Sequence, residues 1–421
     1  MADGMMRKGV MAGLLAAPAL LMAWGSLRYM VSPLGYWIAW GLWATAAVVE
    51  LRPMRVRAGW KTAGLWMTSA FGLLLLGMAV SAIVNHDGVT LYQSVKVLVI
   101  GILCWIMWWL ASRVDAESLI QALYSVLVLV TLVFFLSKAF SSVSYGLGGS
   151  REGDVFARAG VLWKAGLFFL PLFITDWLCN SRRWIAAACA IGACLFLVSV
   201  DGSRTGLLLI VAVGLGFGIV LWWRGDWRAF RHRPWALPLA VGVLLILLLL
   251  NAGMNTWKQG PSTGLSSTGS SRVEALVGKA LAPVMDNRLG EGDAPRIRLL
   301  RNGLEKSREC FPLGCGFGST AIDAGYGIPM NVHNAYLGAL ADFGLLGLLG
   351  MLGFVVASVL PMRVLWDRSA DPRHVYFVLA TSGSALAYCV ALNLHTFSTE
   401  MSEWGYLILM LAFAWQPARA S

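Results

Sequence analysis

The chain has 421 residues, 58% of them hydrophobic and 13% charged, and its formal net charge is +11. Soluble domains carry about 25% charged residues, so an ordinary globular protein is excluded. A transmembrane β-barrel is excluded as well, because stretches such as 98–110 and 243–250 are continuously apolar rather than alternating.

What remains is an all-α polytopic membrane protein with about twelve transmembrane helices. Hydropathy predicts spans at 10–25, 34–49, 62–84, 94–111, 119–140, 161–178, 184–200, 206–223 and 237–252, then 335–362, 376–392 and 404–415. Residues 1–252 therefore hold helices 1–9, and residues 335–421 hold helices 10–12. Between them, 253–334 form one large polar loop, rich in glycine, serine and arginine. Arg7 and Lys8 precede a first transmembrane helix rather than a cleavable signal peptide.

Basic residues orient the spans. With the N-terminus inside, Arg52, Arg55, Arg57 and Lys61 lie in a cytoplasmic loop, as do Arg113, then Arg182 and Arg183. Arg224, Arg228, Arg231 and Arg233 follow, and then Arg363, Arg368 and Arg373. The short loops on the other side carry only Arg28, Arg151, Arg158 and Arg204. The positive-inside rule then places both termini in the cytoplasm and the large loop outside, which is periplasmic in a Gram-negative inner membrane. It also accounts for the net charge, so no nucleic-acid partner is expected.

Topology gives no reason for the external arginines, and they become candidates for binding an anionic, lipid-linked substrate. The first lies in Asp201-Gly202-Ser203-Arg204-Thr205-Gly206, at the outer junction of two spans. The Arg204 fork matches phosphate bidentately, and Ser203 adds a neutral donor. The alternative is a snorkelling Arg204 paired with Asp201. Arg151, Arg158 and Lys164 make a second external basic group.

Within the large loop, 260–271 reads as a flexible linker. Residues 295–309 predict an amphipathic helix, with Ile297, Leu300 and Leu304 on one face and Arg298, Arg301, Glu305 and Arg308 along another. Pro295 suits its first turn. The helix lies on or between the membrane helices, or is a solvated basic helix at the lipid surface. Phe311-Pro312-Leu313-Gly314-Cys315-Gly316-Phe317-Gly318 follows as a tight turn without a dinucleotide-binding context. Cys310 and Cys315 form a disulfide if this loop faces an oxidising compartment.

The loop ends in Asn331-Val332-His333-Asn334-Ala335-Tyr336, where the chain re-enters the membrane. Imidazole titrates near neutrality and can take a proton from a sugar hydroxyl. No cofactor and no metal site is expected: there is no Asp-x-Asp pair, and Glu152, Asp154, Glu291 and Asp293 read as solvated loop charges.

In order, Ser-Arg-Thr-Gly, then Arg-x-x-Leu-x-x-x-Gly and Pro-Leu-Gly-x-Gly-x-Gly, then His-Asn-x-Tyr-Leu before Gly344-Leu345-Leu346-Gly347 resemble the O-antigen ligase and polymerase superfamily. The resemblance implies a GT-C-like membrane glycosyltransferase that moves a glycan from undecaprenyl pyrophosphate to a sugar hydroxyl of lipid A-core. It implies that Arg204 and Arg296 bind the pyrophosphate, with Arg298 and Arg301 as alternatives in the loop. Arg158, Arg151, Lys164, Ser203, Asn334 and Tyr336 are further expected substrate contacts. His333 matches the family histidine, a general base or acceptor-orienting residue. Three other readings stay open: a polymerase that uses a second lipid-linked glycan as acceptor, a flippase for the same lipid, and a membrane scaffold.

Overall fold

The computed structural model describes residues 2–25, 32–50, 58–140, 144–145, 151–152, 160–180, 182–225, 235–259, 294–323 and 329–415. Its helices are α1 (Ala2–Ala23), α2 (Pro33–Glu50), α3 (Ala58–Val84), α4 (Gly88–Ala111) and α5 (Ala116–Phe140). After a hairpin of β1 (Ser144–Tyr145) and β2 (Arg151–Glu152) come α6 (Leu162–Cys179), α7 (Trp184–Asp201), α8 (Arg204–Arg224) and α9 (Ala236–Gln259). Then follow α10 (Ala294–Glu309), a second hairpin of β3 (Ile322–Asp323) and β4 (Pro329–Met330), and α11 (Ala335–Val359). A 3-10 segment (Leu360–Trp366), α12 (Pro372–Ala391) and α13 (Met401–Ala414) complete the chain.

A helix occupies each stretch that hydropathy marks as a span. Among the described residues, eight helices are long and apolar enough to cross a membrane, so this is a multi-pass membrane protein. The apolar parts of α1, α9 and α13 are shorter. In α2, Tyr36, Trp37, Trp40 and Trp43 take the place of aliphatic residues. Two boundaries differ from expectation. Helix α9 runs past 252 to Gln259, and the segment before α11 adds the β3–β4 hairpin to the expected helix. The linker at 260–271 lies outside the described residues.

The chain forms two compact units. The first comprises Met1–Arg52, Arg113–Met285 and Val364–Ser384. In it α7 packs against α6 and α9. Gly192 lets α7 approach the Ala240 carbonyl on α9, where an added Cβ would lie 2.5 Å from that oxygen. The Phe135 ring stacks on Phe196, joining α5 to α7.

The second unit comprises Pro53–Ser112, Asp286–Arg363 and Ala385–Ser421. Its main packing is α3 on α11. A Cβ at Gly77 would sit 2.6 Å from the Gly347 amide nitrogen, so the two backbones touch. Phe71, Phe354 and Trp404 tie α3, α11 and α13 together in a ring cluster.

Candidate functional site

In the second unit the glycine turn is woven into a break in α11. Gly344 has φ 70° and ψ −162°, which interrupts the helix and frees main-chain groups on both sides. The turn takes them up. Leu345 N–H donates to the Pro312 carbonyl at 2.8 Å, Cys315 N–H to Ala341 at 2.8 Å and Gly316 N–H to Asp342 at 3.0 Å. Only glycine fits at 344, because a Cβ there would come within 2.0 Å of the Pro312 oxygen. Cys310 and Cys315 are joined by the expected disulfide, Cα–Cα 5.3 Å.

The Asp342 side chain, 4% exposed, pins the end of the turn. It accepts the Gly318 N–H at 3.0 Å and the Ser319 hydroxyl at 2.7 Å. From the other side, Asn85 donates to the Gly314 carbonyl at 2.9 Å and Ser81 to the Asp342 carbonyl at 2.7 Å. Asp87 caps α4 and is bonded by the Thr90 hydroxyl, which holds its carboxyl below the usual range. The same Thr90 oxygen accepts the Phe317 N–H. Asp342, Asn85, Ser81 and Thr90 are not among the residues expected from the sequence. Asp342 had a signal, since a lone carboxylate inside an apolar span demands partners.

The arginine helix α10 forms where expected, and its apolar triplet lies outside the face that packs on the chain. Ile297, Leu300 and Leu304 are exposed, at 53%, 43% and 43%. The packed stripe is Leu299, Gly303 and Ser307, one residue every four. Gly303 permits it, because its added Cβ would meet Leu337 at 3.0 Å and Val332 at 3.1 Å. Leu299 and Gly303 are the leucine and glycine of Arg-x-x-Leu-x-x-x-Gly, so the motif records a helix-packing face. Arg296, itself exposed, lies one turn before Leu299.

Arg296 is also the arginine whose charge reaches His333. Burial first, and then the Arg296 guanidinium, push the His333 imidazole below its usual 6.5, against a hydrogen bond to the Asn331 main chain. The ring is therefore neutral at pH 7. Two buried polar atoms in this segment, His333 Nδ1 and Asn331 Oδ1, have no hydrogen-bond partner among the described residues. Arg298 and Arg301 are exposed, as Arg296 is.

Two expected contacts already have structural work. Asn334 caps α11, its Oδ1 accepting the Leu337 N–H at 3.0 Å. The Tyr336 hydroxyl donates to the Cys389 carbonyl at 2.7 Å.

In the first unit, Asp201-Gly202-Ser203-Arg204 is the corner between α7 and α8. Gly202 takes the left-handed conformation, φ 66°, and Ser203 caps α8 by accepting the Gly206 N–H at 3.1 Å. Asp201 is fully buried and accepts the Gly160 and Trp163 N–H groups at 2.8 and 3.2 Å, tying the corner to the start of α6. Arg204 is the first residue of α8. Gly206 packs on Trp163, where a Cβ would approach to 2.9 Å, so positions 204 and 164 share one end of two neighbouring helices. Lys164 is buried, its ammonium 5.9 Å from the Trp163 ring centroid. Arg151 pairs with Tyr145 in the hairpin, and Arg158 lies outside the described residues. Among the described residues, no three His, Cys, Asp or Glu side chains are grouped as a metal ion would need.

No curated protein matches this chain. Residues 187–352 match the family model described as O-Antigen ligase. The match runs from α7 through Arg204, Arg296 and His333 to the Gly344 break. The family's members are glycosyltransferase-like ligases and polymerases that work on lipid-linked glycans in a membrane. Over this segment the chain is similar to the O-antigen ligase family.

Proposed function

We propose that this protein is an O-antigen ligase of the bacterial inner membrane, with its active face periplasmic and both termini cytoplasmic. It transfers a glycan from undecaprenyl pyrophosphate to a sugar hydroxyl of lipid A-core. The observation that carries this reading is the segment 331–333. There a neutral imidazole under the influence of Arg296 holds a buried Nδ1 without a partner, beside an unpartnered Asn331 Oδ1. Buried polar atoms ordinarily have partners, and neighbouring hydroxyls of an acceptor sugar would satisfy both.

The chemistry follows from these groups. Arg204 and Arg296 neutralise the pyrophosphate, each as a bidentate donor, so that it leaves readily. Lys164 and the remaining external arginines add charge on the donor side. His333 takes the proton of the acceptor hydroxyl as that oxygen attacks the anomeric carbon. The bond from that carbon to the pyrophosphate oxygen breaks, and undecaprenyl pyrophosphate departs with the electron pair. One displacement inverts the anomeric centre. With guanidiniums supplying the charge, no metal ion is required.

Reconstitution tests the reading. The purified protein is mixed with undecaprenyl-pyrophosphate glycan and lipid A-core in the presence of EDTA. A ligated product that is lost in His333→Ala supports the ligase. Glycan–glycan chains formed from the donor alone would make it a polymerase, and neither product would turn attention to transport.

A further inference from the structure

The first unit contains a cavity of about 360 Å³ at the ends of α5, α6, α7 and α12, away from position 204 at the other end of α7. Arg182, Arg183 and Arg373 line it, with Glu117, Asp176 and Asn180. Its two carboxylates are already engaged. Glu117 is ion-paired with Nη2 of Arg183, and Asp176 accepts the Tyr124 hydroxyl at 2.9 Å.

The guanidiniums are not saturated. Nη1 of Arg183 is buried and has no hydrogen-bond partner among the described residues. Arg182 and Arg373 bond through their main-chain N–H groups, to Asn180 and Asp371. Among the described residues their exposed side chains form no ion pair. Three cations against two occupied anions leave one positive charge and several N–H donors among the residues that line one cavity. A tetrahedral oxyanion satisfies such a set, because each guanidinium offers two parallel donors. Ile120 and Phe377 supply an apolar wall beside it. Arg182 and Arg183 precede α7 and Arg373 lies in the first turn of α12, on the side that the positive-inside rule makes cytoplasmic.

We propose that this cavity binds a phosphate oxyanion, supplied by an anionic phospholipid headgroup or by free phosphate. The site is separate from glycan transfer and does not rest on that reading. A headgroup there would anchor the ends of four helices to one lipid.

Native mass spectrometry and thermal unfolding of the full chain in detergent test this. The probes are phosphatidylglycerol, phosphatidylcholine and inorganic phosphate, each added to wild type and to R182Q/R373Q. Selective retention of phosphatidylglycerol with a raised Tm, both falling several-fold in the double variant, identifies a headgroup site. Equal protection by inorganic phosphate, also lost in the variant, identifies a free-phosphate site. Equal retention of the zwitterionic lipid, or binding unchanged in the variant, would overturn the proposal. Should the double variant misfold, Arg373→Gln alone, at an exposed position, serves the same comparison.

Discussion

Ser319 meets Asp342 twice: its hydroxyl donates to Oδ1 at 2.7 Å and its N–H to the same oxygen at 3.2 Å. Together with the Gly318 N–H, these bonds fix the far end of the glycine turn to α11. Asp342→Asn keeps the shape but turns one acceptor into a donor facing N–H groups. Hydrogen bonds to charged groups contribute ~1.5–3 kcal/mol each. Asp342→Asn should therefore lower the unfolding midpoint in detergent by several degrees and reduce ligation, while Ser319→Ala has a smaller effect of the same sign. An unchanged midpoint would mean that the disulfide and main-chain bonds hold the turn unaided.

His333→Ala should reduce ligation by ~10²–10⁴-fold, the usual contribution of a general base, with expression and thermal stability near wild type. Asn331→Ala should raise the acceptor KM more than it lowers kcat. Near-normal ligation by His333→Ala in the reconstituted assay would remove the histidine from the mechanism.

The imidazole must be neutral to accept a proton. Burial and Arg296 hold its pKa below 6.5, so activity should be on its plateau at pH 7 and fall only in more acid solution. Removing the Arg296 charge withdraws one of the two lowering influences. The acid limb of the residual activity of Arg296→Gln should then move to higher pH. A limb that stays put would place the two groups too far apart to couple.

Arg204→Lys and Arg296→Lys should each leave ligation at least ~10-fold down, because an ammonium lacks the planar fork that grips a pyrophosphate. Arg298→Lys and Arg301→Lys should be close to neutral. Steady-state rates at varied donor concentration separate the two classes.

Alkylation of the denatured, unreduced protein should label five cysteines, those at 104, 179, 189, 194 and 389. After reduction all seven should react. Seven labels before reduction would rule out the Cys310–Cys315 bond.

The spans were legible because continuous apolar runs have one solution in a bilayer. The order of the arginine, glycine and histidine motifs was legible for a different reason, that each has a fixed residue type at a fixed step. The orientation of α10 was not. Ile297, Leu300 and Leu304 form the obvious apolar stripe, yet the stripe that packs contains a glycine and a serine, chosen for close approach rather than hydrophobicity. Asp342 was passed over because burial gives a carboxylate its meaning only when its partners are known, and these come from a turn 23 and 24 residues away. Asn334 and Tyr336, expected as substrate contacts from their position, carry structural hydrogen bonds that the sequence does not announce, to the Leu337 N–H and the Cys389 carbonyl.

The interruption of α11 at Gly344 also sets where homologous proteins can be recombined. The obvious junction for exchanging the polar segment that precedes α11 is the start of the helix at Ala335. A donor loop joined there would bring its own turn to a foreign Ala341-Asp342-Phe343-Gly344-Leu345, whose carbonyls and carboxylate are spaced for another partner. The exchangeable module ends after Leu345, well inside the membrane helix.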